Sequence, residues 1–268
     1  MHVTRTAVGV VAAVACAAMA AGCGGHAGTA SPDAQRAAAA PTAAKVSAAE
    51  RAKLTKATTF TTVHGAPTDP APNAPLDGTV LRLARDAVVY AKPGGKPIAM
   101  LPAKQLGGPT WVPVIATRSG WRQVLLPSRP DHATGWLAPG GKGHVATSSY
   151  RVAVDTHAHR LTVTDGGKRV GAWTVAVGTK KNPTPTGRTF LLASLSPPHP
   201  TYSKLILPLG THSNSLDRFG GGPGTVALHG WPDKSVFGHN VSHGCVRTPQ
   251  SALSTLSRIP LGTPVRIT

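Results

Sequence analysis

In the second part of the chain, apolar positions come in short runs broken by Gly, Pro, Asn and Asp rather than at helical spacing. One series comprises Thr79 to Leu83, Ala87 to Tyr90, Ile98 to Leu101, Trp111 to Ile115, Trp121 to Leu126 and Gly135 to Leu137. Strands this short at this spacing predict a small barrel or sandwich. A second series opens with a hairpin pattern, Tyr150 to Thr156 and Arg160 to Thr164 around Thr156-His157-Ala158-His159, after which Asp165-Gly166-Gly167 turns the chain into Val170 to Val177. Thr225-Val226-Ala227-Leu228 reads as a further strand, one that delivers His229 and turns at Gly230. The one segment with a helical stripe is Gln250 to Ile259, where Leu253, Leu256 and Ile259 share a face. The expected fold is mainly β, with one or two helices.

Ahead of Gly78 the pattern changes. Residues 1 to 22 hold a single charge, Arg5, and the apolar run Ala7 to Ala21, which is an export signal too short for a comfortable membrane span. Gly22-Cys23-Gly24-Gly25 resembles a bacterial lipoprotein processing site. That resemblance implies Cys23 as the lipidated first residue, an anchor in the cytoplasmic membrane and a place on the membrane's outer face, at the cell wall; simple secretion is the alternative, since Ala20 stands where Leu is more usual. Residues 23 to 77 are rich in Ala, Thr and Pro and read as a semi-extended tether that buries no core, with a transient helix permitted over Ala43 to Ala57. The expected organisation is a signal peptide (1–22), a lipidated linker (23–77), a small β domain (78–147) and a C-terminal β domain (148–268).

The formal net charge is +18, and since Arg5 is the only charge within the first 22 residues, the processed chain carries +17. The excess is spread over both β regions, +7 in residues 78–147 and +9 in residues 148–268, rather than gathered in a tail. A distributed charge of this kind suits attraction to a polyanionic surface such as a cell envelope. Nucleic acid, the other standard partner of a basic chain, is not expected, because an export signal precedes the chain and no nucleic-acid module follows it.

Of the three cysteines, Cys16 and Cys23 lie in or beside the export segment, which leaves Cys245 as the single free thiol of the exported chain. An unpaired thiol is an oxidation liability outside the cytoplasm and asks for a chemical reason. A thiol is a strong nucleophile only as thiolate, so it needs an imidazole beside it. His243 stands two residues away, and His229 sixteen residues upstream. A zinc site built from His229, His239, His243 and Cys245 fits poorly, because structural zinc loops pair ligands two to four apart and repeat the pair elsewhere. His157 and His159, at a predicted hairpin tip with no third ligand adjacent, read as solvated turn residues. Neither a metal nor a cofactor is expected.

His229-Gly230 with Ser242-His243-Gly244-Cys245-Val246-Arg247, joined by Pro183-Thr184-Pro185-Thr186-Gly187 and Gly262-Thr263-Pro264-Val265, resembles the L,D-transpeptidase (YkuD-type) signature. The resemblance spans residues 148 to 268 and implies a YkuD-like β-sandwich or barrel. It implies Cys245 as nucleophile, His229 as base and then acid, and the Gly230 carbonyl as orienter of His229. The Gly244 and Cys245 N–H groups become the oxyanion donors, His243 either shapes the oxyanion side or shares the base role, and Ser242 fixes the loop by hydrogen bonding. Many members carry Asn where this chain has Arg247, which either holds a stem-peptide carboxylate or braces the loop. Tyr202, in the Pro-rich stretch from Pro197 to Pro208, stands where the family often has a lid. The implied substrate is the peptidoglycan stem peptide, cleaved before its terminal D-Ala and passed to another amine, and the implied inhibitor is a carbapenem. An L,D-carboxypeptidase on the same scaffold and a non-catalytic wall-binding lipoprotein are the alternatives; the second requires a decayed motif. Residues 78–147 are similar to bacterial SH3-like modules, in which Trp111, Trp121 and Trp136 either fill the core or stack on wall components.

Overall fold

A computed structural model of the chain describes residues 41–268, so the export signal and Cys23 lie outside the described residues. All six runs of the first series are strands: Thr79–Leu83, Ala87–Tyr90, Pro97–Leu101, Trp111–Arg118, Trp121–Leu125 and Thr134–Leu137. With Gly143–Thr147 they make a seven-stranded sheet, antiparallel throughout, in which Thr79–Leu83 lies between Trp111–Arg118 and Gly143–Thr147. The sequence gives no sign of that seventh strand. It lies at the sheet edge, its large apolar residue Val145 is exposed, and a strand with no buried face shows no alternation. Among the tryptophans, Trp121 is fully buried with its ring edge-on to Tyr90 at 5.2 Å, while Trp111 and Trp136 are half-buried.

The second series builds a five-stranded sheet in the order Lys168–Thr174, Arg160–Asp165, Tyr150–Asp155, Pro264–Ile267, Gly187–Phe190. Its C-terminal strand runs parallel to Tyr150–Asp155. Opposite stands a smaller sheet of Ile206–His212, Thr225–His229 and Val246–Arg247. Period-two alternation fills the space between them: Val152, Val154, Leu161 and Val163 from the large sheet meet Leu207, Leu209, Val226, Leu228 and Val246 from the small one. The helix Gln250–Leu256 closes this core with Leu253 and Leu256, and Ile259 is buried just past its end.

Residues 41–77 correct the expectation of a tether. Val46, Ala57, Val63 and Leu76 are buried, and the last three belong to the same core as the seven-stranded sheet. Composition misled here because no regular face is involved. Single apolar side chains plug the core while the main chain finds partners one at a time, such as Ala57 N–H to Met100 O at 2.7 Å and Val63 N–H to Arg129 O at 2.9 Å. The expected helix is the short Ala48–Lys53, fixed by a capping box between Ser47 and Glu50. Asp69 is buried and takes both Nε and Nη2 of Arg188 at 2.6 Å, 119 residues on. Phe190 and Leu192 also enter the core of the seven-stranded sheet. Ala40–Thr268 is therefore one compact unit in which the two β regions share packing.

Candidate active site

Strand alternation assembles the site. Val226 and Leu228 point into the core, so Thr225, Ala227 and His229 face the other way; Val246 is likewise in the core, so Cys245 and Arg247 face that same side. Parallel pairing of Leu228 with Val246 and of His229 with Arg247 then sets Cys245 beside Ala227 and diagonal to His229. Diagonal neighbours in a sheet lie about 7–8 Å apart, within reach of a ring.

His229 is 7% exposed, and its Nδ1 lies 2.7 Å from Gly230 O. A carbonyl only accepts, so Nδ1 carries the hydrogen and Nε2 keeps its lone pair for a proton. Burial holds the imidazole pKa below its ordinary value, the Gly230 carbonyl partly offsets this, and the Arg247 charge adds to the lowering. The orienter is itself held: Gly230 N–H donates to Ser203 Oγ at 2.7 Å, and that hydroxyl donates to Leu205 O at 2.5 Å. Tyr202, 41% exposed, sets its ring edge-on to His229 at 5.0 Å and lies 5.7 Å from the Trp231 ring. Arg247 lies over the other aromatic, its Cζ 3.6 Å from the Trp231 centroid, a cation–π contact. Its Nε is buried without a hydrogen-bond partner among the described residues.

Cys245 is half-buried. Burial pushes its thiol pKa up, while a main-chain hydrogen bond from Ala227 and the Arg247 charge pull it back. Gly244 sits at φ +116°, a conformation that side chains rarely adopt, and so lets the chain turn sharply into the cysteine. The loop also engages one of the two amides expected as oxyanion donors. Gly244 N–H donates to Ser242 Oγ at 3.1 Å, and the same hydroxyl donates to Cys245 O at 2.5 Å. Ser242 thereby ties the loop and uses one of the two amides, which leaves the Cys245 N–H as the donor beside the sulfur. His243 is exposed, stacks on Phe219 at 4.8 Å between centroids, and lines a cavity of about 90 Å³ together with Cys245 and Gly224. His229 is not among the residues that line that cavity.

The structure does not bring His157 to the site. His159 lies in the expected turn and in addition places Nε2 2.7 Å from Asn240 Oδ1, which braces the strand Asn240–Ser242 that enters the cysteine loop. Among the described residues no group of three or more His, Cys, Asp or Glu side chains is arranged to hold a metal. Sequence reasoning missed Ser203, Trp231 and Phe219. Trp231 carried a usable signal, since it is the second residue after His229, and so did Phe219, a lone aromatic before Gly220-Gly221-Gly222-Pro223-Gly224. Nothing local marks Ser203.

Fold and site together define a mainly β domain that carries a thiol and a buried imidazole on one strand face. Residues 149–267 match the family model for the L,D-transpeptidase catalytic domain, YkuD. No curated protein matches the chain in sequence. Among solved structures it is similar to an L,D-transpeptidase from Mycobacterium smegmatis, at 20% identity and a TM-score of 0.40, covering 59% of this chain and 82% of that one. It is also similar to the catalytic domain of an Enterococcus faecium (E. faecium) L,D-transpeptidase, at 19% identity and a TM-score of 0.36, covering 46% of this chain and 98% of that one. A third likeness is to an L,D-transpeptidase in complex with imipenem, at 16% identity and a TM-score of 0.38, covering 55% of this chain and 91% of that one.

Proposed function

We propose that the chain is a peptidoglycan L,D-transpeptidase that works through an acyl-enzyme on Cys245. The observation that carries this reading is the shared strand face: Cys245 and His229 stand diagonal to each other, with Nδ1 of the imidazole committed to Gly230 O and Nε2 left as base. In the acylation step Sγ attacks the carbonyl of the third stem residue, Nε2 takes the thiol proton, and the C–N bond to D-Ala breaks as that proton passes to the leaving amine. The Cys245 N–H stabilises the oxyanion. In the second step an amine of a neighbouring stem attacks the thioester, His229 takes the amine proton, the C–S bond breaks, and that proton passes to the sulfur to restore the thiol.

Arg247, with Nε unpartnered beside Trp231, supplies the cation for a stem carboxylate. The same thiol is the residue a carbapenem acylates. Product masses test the transfer step. A stem tetrapeptide with an acceptor amine gives the cross-linked product, and without acceptor gives slow release of tripeptide. Tripeptide as the sole product in the presence of excess acceptor would make the chain an L,D-carboxypeptidase.

A further inference from the structure

We propose that Arg129, contributed by the N-terminal β region, is a positioning residue for the transfer reaction: it holds the loop Ser213 to Gly224 that walls the Cys245 cavity. The inference rests on the reading of function given above. Arg129 is anchored first through its own main chain, which donates to Thr61 O at 3.0 Å and accepts from Val63 N–H at 2.9 Å, so the start of its side chain is fixed by the segment that wraps the domain. Its guanidinium then crosses to the catalytic region. Nη1 donates to Ser213 O at 3.3 Å, and Nη2 reaches Leu216 O and Asp217 O at 3.3 Å and Pro223 O at 2.9 Å. One side chain thus binds carbonyls at both ends and in the middle of the loop.

The loop has bonds of its own, with Ser213 Oγ accepting from Ser215 N–H at 3.3 Å and Leu216 N–H at 3.1 Å and Phe219 and Gly222 exchanging main-chain bonds, and to these Arg129 adds the tie between the loop and the N-terminal β region. Its ends meet through Ser213 N–H to Gly224 O at 2.8 Å, and Gly224, at φ +70°, leaves no space for a Cβ, which would strike the Leu216 carbonyl. From this frame the loop presents Phe219 to His243. Gly222 and Pro223 line both the 90 Å³ cavity that contains Cys245 and a neighbouring one of about 470 Å³ that reaches Phe60 and Arg129. The loop therefore sets the shape of the space through which a peptide bound at Cys245 continues toward the N-terminal segment.

Charge pairing does not explain Arg129. Its nearest carboxylate, Asp217, is 3.9 Å away and its side chain is 98% exposed, a geometry that contributes little in water. A planar fork of five donors suits several carbonyls at once, which the three donors at the tip of a lysine do not.

The test compares wild type with Arg129→Lys and Arg129→Gln in the full exported chain. In each variant kcat/KM for a stem tetrapeptide is expected to fall about ten- to a hundredfold, as displaced positioning groups typically cause, with the loss carried mainly by KM. Alkylation of Cys245 by iodoacetamide, a reagent small enough to need no wall, is expected to keep its rate. Hydrogen exchange is the independent readout: amides of residues 213–224 exchange faster in the variants while those of Thr225–His229 do not. Peptide kinetics equal to wild type in a folded variant overturn the proposal, and so does unchanged exchange in the loop. If wild type itself leaves the stem peptide intact, the reading of function fails, and the exchange experiment still decides whether Arg129 holds the loop.

Discussion

A His229→Ala protein is expected to form its acyl-enzyme about 10² to 10⁴ times more slowly than wild type, the usual contribution of a positioned general acid–base. The size follows from the double duty of Nε2, which both receives the thiol proton and returns it to the leaving amine. The directions of the two pKa shifts sharpen the expectation. Burial lowers the imidazole and raises the thiol, so both groups rest neutral and the proton moves only as the substrate is attacked. Activity requires unprotonated His229. It should therefore rise with pH through the lowered imidazole pKa, with a midpoint below the ordinary histidine value of about 6.5. The falling limb, where the thiol loses its proton in advance, should lie above the ordinary thiol range. His243→Ala should cost far less, because that ring is exposed and stacks on Phe219, whereas His229 has Nδ1 committed to Gly230 O and Nε2 left as base. Acylation rates across pH for the two variants check this; a full loss in His243→Ala with none in His229→Ala would make the adjacent histidine the base.

The second large effect is on stability and comes from the segment that composition alone reads as a tether. Asp69→Ala should destabilise the fold by about 3–5 kcal/mol, since it leaves the Arg188 guanidinium buried without its carboxylate. For a unit of this size that lowers Tm by on the order of 10 °C. The pair itself need not be strongly stabilising: desolvating two charges offsets most of their attraction, so Asp69→Leu combined with Arg188→Met should recover much of the loss. Thermal unfolding of the two proteins checks both statements. An Asp69→Ala protein that melts with wild type would mean that residues 41–77 are not docked in solution.

Strand positions were readable wherever one face is buried, because a period of two then survives in the sequence, as in Thr79–Leu83 and Ala87–Tyr90, whose bounds the pattern matched. Gly143–Thr147 has no buried face and left no pattern. The wrapping of residues 41–77 was illegible for another reason: Val46, Ala57, Val63 and Leu76 are isolated plugs at irregular intervals, and the Asp69–Arg188 pair joins positions 119 apart. At the site, the thiol and its two candidate imidazoles were visible from residue chemistry and motif spacing. What decided between the imidazoles' surroundings was register, the pairing of Leu228 with Val246, which no single strand encodes. The bond from the Gly244 amide to the Ser242 hydroxyl was not legible, because it is a loop contact without a sequence signature of its own. Arg129 gave no signal at all, since its partners are main-chain carbonyls and carbonyls are the same in every residue.

The central claim is that Cys245 carries the acyl group, and intact-protein mass tests it most directly. After incubation with a stem tetrapeptide in the absence of acceptor amine, the wild-type chain should gain the mass of one acyl tripeptide, mapped by fragmentation to Cys245 and discharged on adding acceptor. A carbapenem should add one equivalent at the same residue, and Cys245→Ala should gain neither mass. An adduct that persists in Cys245→Ala, or transfer to acceptor that continues without Cys245, would contradict the account.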